Sequence, residues 1–337
     1  MRRLAVDIGL LPNRGTASDA AALAALAEER GLDGAWAADS PGVFRDPFVT
    51  LALCAQQTSS LTLGTAVTNP VIRDPTVLAG ACATLAELSE GRFVLGIGVG
   101  ESAVYNAGLR PATLARVEHA ITAVRSLLAD GAATFEGRRL RMGYASPPVS
   151  IFVGASGPRT LELAGRLADG VIFQVGAAVS AVEYALERIR AGAESAGRSP
   201  ADIELCIRLA VSVDEDRTRA REEMKAYAGI AANTIARTVP ADALPEGVHE
   251  DLRRLRDAYD YAQHGDTTAS HQELITDPVL DAVAISGTID EALAHMRPIV
   301  ELGVHRFIIP LNVTDRRELV ETLANEVAPA LRKAVSM

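Results

Sequence analysis

Strand-like and helix-like segments alternate along this chain from near its first residue to near its last, and no other feature limits the fold as strongly. LAVDIG (4–9) reads as a strand, and SDAAALAALAEERG (18–31) as an alanine- and leucine-rich helix that stops at Gly31. GAWAAD (34–39) is a second strand, followed by a helix from about Pro47 to Thr58, and LTLGTAV (61–67) is a third strand. DPTVLAGACATLAEL (74–88) carries Asp74 at an N-cap position and Pro75 in the first turn. Val77, Leu78, Ala81, Leu85 and Leu88 share one apolar face, the spacing of an amphipathic helix. RFVLGIGVG (92–100) is a fourth strand, and a helix follows over roughly 112–130.

The rhythm continues through strand VSIFVG (149–154), helix GPRTLELAGRLA (157–168), strand VIFQV (171–175) and a helix over 178–196. IELCIRLAVSV (203–213) is a seventh strand, with a charged helix over about 214–237. Residues 238–285 break the pattern. They hold three of the six histidines and several acids, show no strand periodicity, and read as an insertion. TIDE (288–291) is a capping-box start to a helix ending near Gly303. HRFIIPL (305–311) is the eighth strand, and a last helix covers 315–334. Eight strands, each followed by a helix and spread evenly over 1–337, predict a single α/β domain. The expected architecture is a (β/α)8 TIM barrel with an insertion (about 238–285) before the last strand, in preference to a doubly wound sheet.

Composition removes several function classes. The net charge is −10 with no basic cluster, which argues against nucleic acid and anionic membranes as partners. No run approaches the ~18 apolar residues of a membrane span, and no leader-like stretch precedes the first strand, so a cytoplasmic location is expected. Cys54, Cys82 and Cys206 lie far apart without CxxC spacing, as expected of reduced thiols. Lys225 and Lys333 are the only lysines, and both fall on helices. That excludes Schiff-base aldolase and pyridoxal chemistry. The histidines form no ligand cluster, and Asp7-Ile8-Gly9 stands where a metal amidohydrolase would carry HxH; no metal is expected. Aromatic residues make up 4%, with Trp36 the single tryptophan, a poor endowment for a glycosidase cleft.

A barrel of this kind builds its site at the carboxyl ends of the strands. Those ends carry Asp7, Asp39-Ser40, Ala66-Val67-Thr68-Asn69, Gly98-Val99-Gly100-Glu101, Gly154-Ala155-Ser156-Gly157, Gln174 and Asn312. The glycines of GRFVLGIGVGES are spaced GxGxG on the fourth strand. The dinucleotide fingerprint is GxGxxG after the first strand, so that reading is rejected. Two readings stand: the glycines relieve crowding, or they let a planar ring or phosphate approach the backbone. In GASGPRT (154–160), Ser156 suits a helix cap and Gly157-Pro158 a first turn, either an ordinary helix start or a phosphate site. Pro158 excludes a GxSxG nucleophile elbow. Asp7 sits inside an apolar strand, where a carboxylate needs a partner or a role.

The run LGTAVTNPVIRDPTVLAGACATLAELSEGRFVLGIGVGES (63–102), followed by PPVSIFVGASGPRTLELAGRLADGVI (147–172), resembles the bacterial-luciferase-like family. It is especially similar to that family's F420-dependent methylenetetrahydromethanopterin reductase-like oxidoreductases. The resemblance covers most of 1–212 and returns in HGDTTASHQELITDPVLDAVAISGTIDEAL (264–293). It implies a (β/α)8 barrel, a homodimer, and coenzyme F420 or, in the alternative, FMN at the strand ends. The implied reaction is hydride transfer between the deazaflavin C5 and a small-molecule or peptide substrate. The alternative is an FMN-dependent monooxygenase using reduced flavin and O2; a non-catalytic flavin-binding relative is a third possibility.

Residue by residue, the resemblance maps a non-prolyl cis peptide onto Ala66-Val67, and a phosphate turn onto Gly154, Ala155, Ser156 and Gly157. It maps acids onto Asp7, Asp39 and Glu101 as catalytic candidates. Glu101 is expected to be the proton donor, with a pKa raised by apolar walls, and Asp39 to orient the polar edge of the ring. Ser40, Thr68, Asn69, Gly98, Val99 and Gly100 complete the expected cofactor shell. Ser40 stands where many relatives carry histidine.

Overall fold

The computed structural model describes residues 3–11, 15–260 and 270–335. Its strands are numbered in chain order. Eight of them close a parallel barrel: β1 (Ala5–Leu10), β2 (Gly34–Ala37), β3 (Thr62–Thr65), β4 (Phe93–Ile97), β7 (Ser150–Ala155), β8 (Gly170–Phe173), β9 (Glu204–Arg208) and β12 (Arg306–Pro310). β12 pairs back onto β1, with Ala5 opposite Arg306 and Gly9 opposite Pro310. The expected barrel is therefore present, with its strands where the alternation placed them. A hairpin of β5 (Ala132–Phe135) and β6 (Arg138–Arg141), absent from the sequence reading, lies outside the barrel.

The helices begin where local chemistry sets them. α1 (Ala17–Glu29) opens with a capping box between Thr16 and Asp19. α2 (Pro47–Gln57) and α3 (Pro75–Leu88) start on Asp46 and Asp74, each with proline in the first turn. These side chains accept backbone N–H groups that the helix itself leaves unbonded. α4 (Ser102–Asn106) and α5 (Leu114–Asp130) follow β4; α6 (Pro158–Leu167) and α7 (Val179–Ser195) follow β7 and β8. Their apolar faces pack on the outside of the barrel, while Trp36, Val94, Phe152, Ile172, Cys206 and Ile308 fill its interior. Cys54, Cys82 and Cys206 are all buried, and no disulfide joins them.

Two departures change the picture at the seventh strand. The segment read as one strand over 203–213 stops after β9 and resumes as β10 (Val211–Val213), which pairs with β11 (Ile285–Gly287) away from the barrel. Between them run α8 (Arg217–Thr238), α9 (Val248–Ala258) and α10 (Asp277–Val283). The helix that returns to the barrel is α11 (Ile289–Glu301), whose Thr288–Glu291 capping box forms as expected. The charged helix at 214–237 is therefore part of the excursion and not the seventh outer helix. It packs on α9, α10, β10 and β11 instead of on barrel strands. α12 (Arg316–Thr322), a π-helical stretch (Leu323–Val327) and α13 (Ala328–Val335) complete the ring. Residues 264–269 of the third similar run (264–293) lie outside the described residues. No described helix is long and apolar enough to cross a membrane.

Candidate active site

A cavity of about 430 Å³ opens at the carboxyl ends of the barrel strands. Asp39 and Ser40 after β2, Ala66, Val67 and Asn69 after β3, and Gly98, Val99, Gly100 and Glu101 after β4 border it. Gly154 to Gly157 border it at the end of β7. One side is closed by α8 through Tyr227, Ile230, Thr234 and Arg237. Most of the strand-end residues singled out from the sequence thus converge on one space.

The Ala66–Val67 peptide is cis, and the segment beyond it is tied to β4. Thr68 N donates to the Gly96 carbonyl at 2.9 Å, and Gly98 N donates to the Thr68 carbonyl at 2.8 Å. A Cβ built on Gly96 would collide with the Thr65 carbonyl oxygen. On Gly98 it would lie 3.1 Å from Val67 Cγ2, and on Gly154 2.7 Å from the same methyl. Gly96 makes room for Thr65, and Gly98 and Gly154 make room for Val67, which is the crowding relief of the first reading. Gly100 has φ +80°, a left-handed turn.

The three acids have different surroundings. Asp39 is buried and accepts from Thr68 Oγ1 at 2.6 Å, Arg73 Nε at 2.8 Å and Arg73 Nη2 at 3.2 Å. Arg73 also donates to Asp46 at 2.8 Å. Burial works against the Arg73 charge, but Asp39 and Asp46 outweigh it and raise its pKa. Glu101 accepts from Arg237 and from Thr234 Oγ1 on α8. Its side chain is 35% exposed, so the apolar walls expected around it are replaced by a salt bridge at the cavity mouth.

Asp7 is a correction. It does not border the cavity but lies fully buried in the barrel interior, opposite Gly34 and Ile308. Its Oδ2 accepts from Trp36 Nε1 and Arg306 Nη1, and Arg306 Nε donates to Glu204 at 2.7 Å. Burial pushes the Asp7 carboxyl up, opposed by Arg306 and by the Trp36 N–H. The partner that a buried carboxylate needs is supplied from the other end of the chain. Thr68 also stays behind the cavity wall, where it is buried on Asp39.

Ser156 does not cap α6. The cap residue is Gly157, with no side-chain cap, because Pro158 already occupies the first helical position. Thr160 N and Leu161 N fold back onto the Gly157 carbonyl. This helix end faces the cavity beside Ser156, Gly157 and Thr160, as an anion site requires. Asn69 is fully buried; its Oδ1 accepts from Val71 N at 3.1 Å and Ile72 N at 3.2 Å. Its Nδ2 has no partner among the described residues. An unmade bond at a buried donor is costly, and this one stands on the cavity wall.

Sequence reasoning missed Arg208 and the α8 residues. Arg208 follows Cys206 by two on an inward-facing strand, and that alternation was the available signal. Thr234 and Arg237 carried none, because helical periodicity does not say which surface a helix covers. Among the described residues no cluster of histidines, cysteines and acids could hold a metal.

The model of the luciferase-like monooxygenase family matches residues 5–306. The 5,10-methylenetetrahydromethanopterin reductase of Methanolobus tindarius is 33% identical over 85% of this chain and 87% of its own length. The F420-dependent glucose-6-phosphate dehydrogenase of Nakamurella multipartita is 30% identical over 94% of each chain. Among solved structures, the coenzyme F420 dependent tetrahydromethanopterin reductase from Methanopyrus kandleri has a TM-score of 0.80 at 24% identity. It covers 98% of this chain and 99% of its own, and shares the fold.

Proposed function

The chain belongs to the luciferase-like monooxygenase family, and from that premise we propose that it is an F420-dependent oxidoreductase acting on a small organic substrate. The observation that carries this reading is a relative named as F420-dependent that matches 94% of this chain.

The residues present fit the coenzyme. Asn69 Nδ2 is a buried donor awaiting an acceptor, the α6 amino terminus is open to a phosphate, and Val67 presents an apolar surface. Ala66, Val67, Asn69 and the backbone of Gly98 to Gly100 would hold the ring. Gly154 to Gly157 would hold the phosphate. When bound, the coenzyme supplies hydride transfer at C5. Asp39 acts as a positioning residue: through Arg73 and Thr68 it fixes the segment that carries Val67 and Asn69. Glu101, at the mouth and partly exposed, exchanges the accompanying proton at its carboxylate oxygens. Arg237 and Thr234 aim that carboxylate and tie α8 across the opening.

Purified protein titrated with F420 and with FMN tests the reading. Reduced F420 should bind and support turnover without oxygen. Turnover only with reduced FMN and O2 overturns it in favour of a monooxygenase. The homodimer and the cytoplasmic location belong to the same reading; sedimentation velocity at micromolar concentration reads the first, and cell fractionation the second.

A further inference from the structure

Three arginines in the barrel interior or beside the cavity wall are matched by carboxylates. Arg306 faces Asp7 and Glu204, Arg73 faces Asp39 and Asp46, and Arg237 faces Glu101. Arg208 departs from this pattern. It ends β9 and lines the cavity one inward-facing position above Cys206. Its Nη1 donates to Gln174 Oε1 at 2.6 Å, the amide at the end of neighbouring β8. Among the described residues no carboxylate lies within ion-pair distance of it. The apolar strands around it push its pKa down to about 10. A guanidinium held in such surroundings without a counter-charge is costly to the fold, unless a ligand supplies the charge.

We propose that Arg208 and Gln174 form an anchor for a carboxylate, and that the substrates of this enzyme are organic acids. The inference rests on the oxidoreductase reading of the cavity and names its substrate class. The Arg208 fork presents parallel N–H donors to a planar carboxylate. Gln174 spends its oxygen on Arg208, which turns its amide nitrogen into a further donor for the same group. A guanidinium fork also accepts phosphate, and inorganic phosphate among the probes separates the two. The coenzyme phosphate is already assigned to the α6 amino terminus, which leaves the charge at Arg208 to the substrate.

Calorimetric titration of the full-length protein with matched acid and amide pairs tests this, with and without F420. The probes are butyrate and butyramide, cyclohexanecarboxylate and its amide, benzoate and benzamide, and inorganic phosphate. In the wild type at least one acid should bind about 10–100-fold more tightly than its amide, the span expected for a charge-assisted bond. Arg208→Gln should reduce that preference to about twofold while leaving F420 affinity unchanged, and Arg208→Lys should keep part of it. Should a variant fold poorly, equal binding of every pair in the wild type still decides against the proposal. Equal binding of every pair overturns the proposal, as does an acid preference that survives Arg208→Gln. Phosphate binding through Arg208 more tightly than every acid also overturns it, in favour of a phosphorylated substrate. A loss of F420 affinity in Arg208→Gln without any acid preference assigns Arg208 to the coenzyme instead. Failure of the coenzyme reading is seen separately, as absent F420 binding while the acid preference persists.

Discussion

Val67 on the β3 side of the cavity and Gly154 at the end of β7 fit together as a projection and a space. A methyl group on Gly154 would stand 2.7 Å from Val67 Cγ2 and 3.0 Å from Cγ1. The cavity wall after β3 exists in this shape because β7 carries no side chain there.

Gly154→Ala should therefore displace Val67. Overpacking of this kind costs ~1–3 kcal/mol, read as a lower melting temperature together with a weaker F420 affinity. Gly98→Ala, where the same methyl is 3.1 Å away, should show both effects in smaller measure. An unaltered coenzyme affinity in Gly154→Ala would detach the Val67 wall from the ring site.

Glu101→Gln should lower kcat by ~10²–10⁴-fold, the usual worth of a general acid or base. Stability should hardly change, because the Glu101–Arg237 pair is about one-third exposed on each side and such pairs contribute ~0–1 kcal/mol. Stopped-flow transfer to and from F420 and a melting curve separate the two. A large loss of stability with kcat intact would make Glu101 a fastening for α8 only.

Asp7→Asn should do the reverse. It leaves Arg306 in the barrel interior facing Glu204 alone, and breaking a buried pair costs ~3–5 kcal/mol. F420 affinity of the folded protein should stay within about twofold, because Asp7 lies away from the cavity. Denaturant unfolding beside coenzyme titration checks both halves.

Glu28 links α1 to the start of β3 by accepting Ser59 N, Ser60 N and Leu61 N at 2.9, 2.6 and 3.0 Å. Burial opposes its charge, but these bonds and the Ser60 hydroxyl outweigh it and hold its pKa at about 2. A carboxylate whose pKa is depressed on folding adds stability above its unfolded value, and that stability fades as pH falls towards the folded value. Glu28→Gln should cost ~1–3 kcal/mol at pH 7. The gap to wild type should close between about pH 4.5 and pH 2, as followed by urea unfolding across that range. A gap independent of pH would show that the contacts act through shape and not charge.

The sequence by itself determined what depends on neighbours in the chain. Strand and helix positions, the caps at Asp74 and Thr288, and the end of the barrel at which a site forms all follow from local propensity and periodicity. Even there, one residue of register decided that Gly157 and not Ser156 heads α6. Tertiary structure alone decided what depends on distant partners. Asp7 looked like a site acid until Arg306, 299 residues away, was brought against it. The charged segment at 214–237 looked like one more outer helix until α8 was placed over the cavity mouth. Arg208 looked like part of a strand until the barrel closed around it and left it facing the cavity. In each case the reason is the same. A side chain's chemistry is written in the sequence, but its charge partners and its exposure come from chain closure.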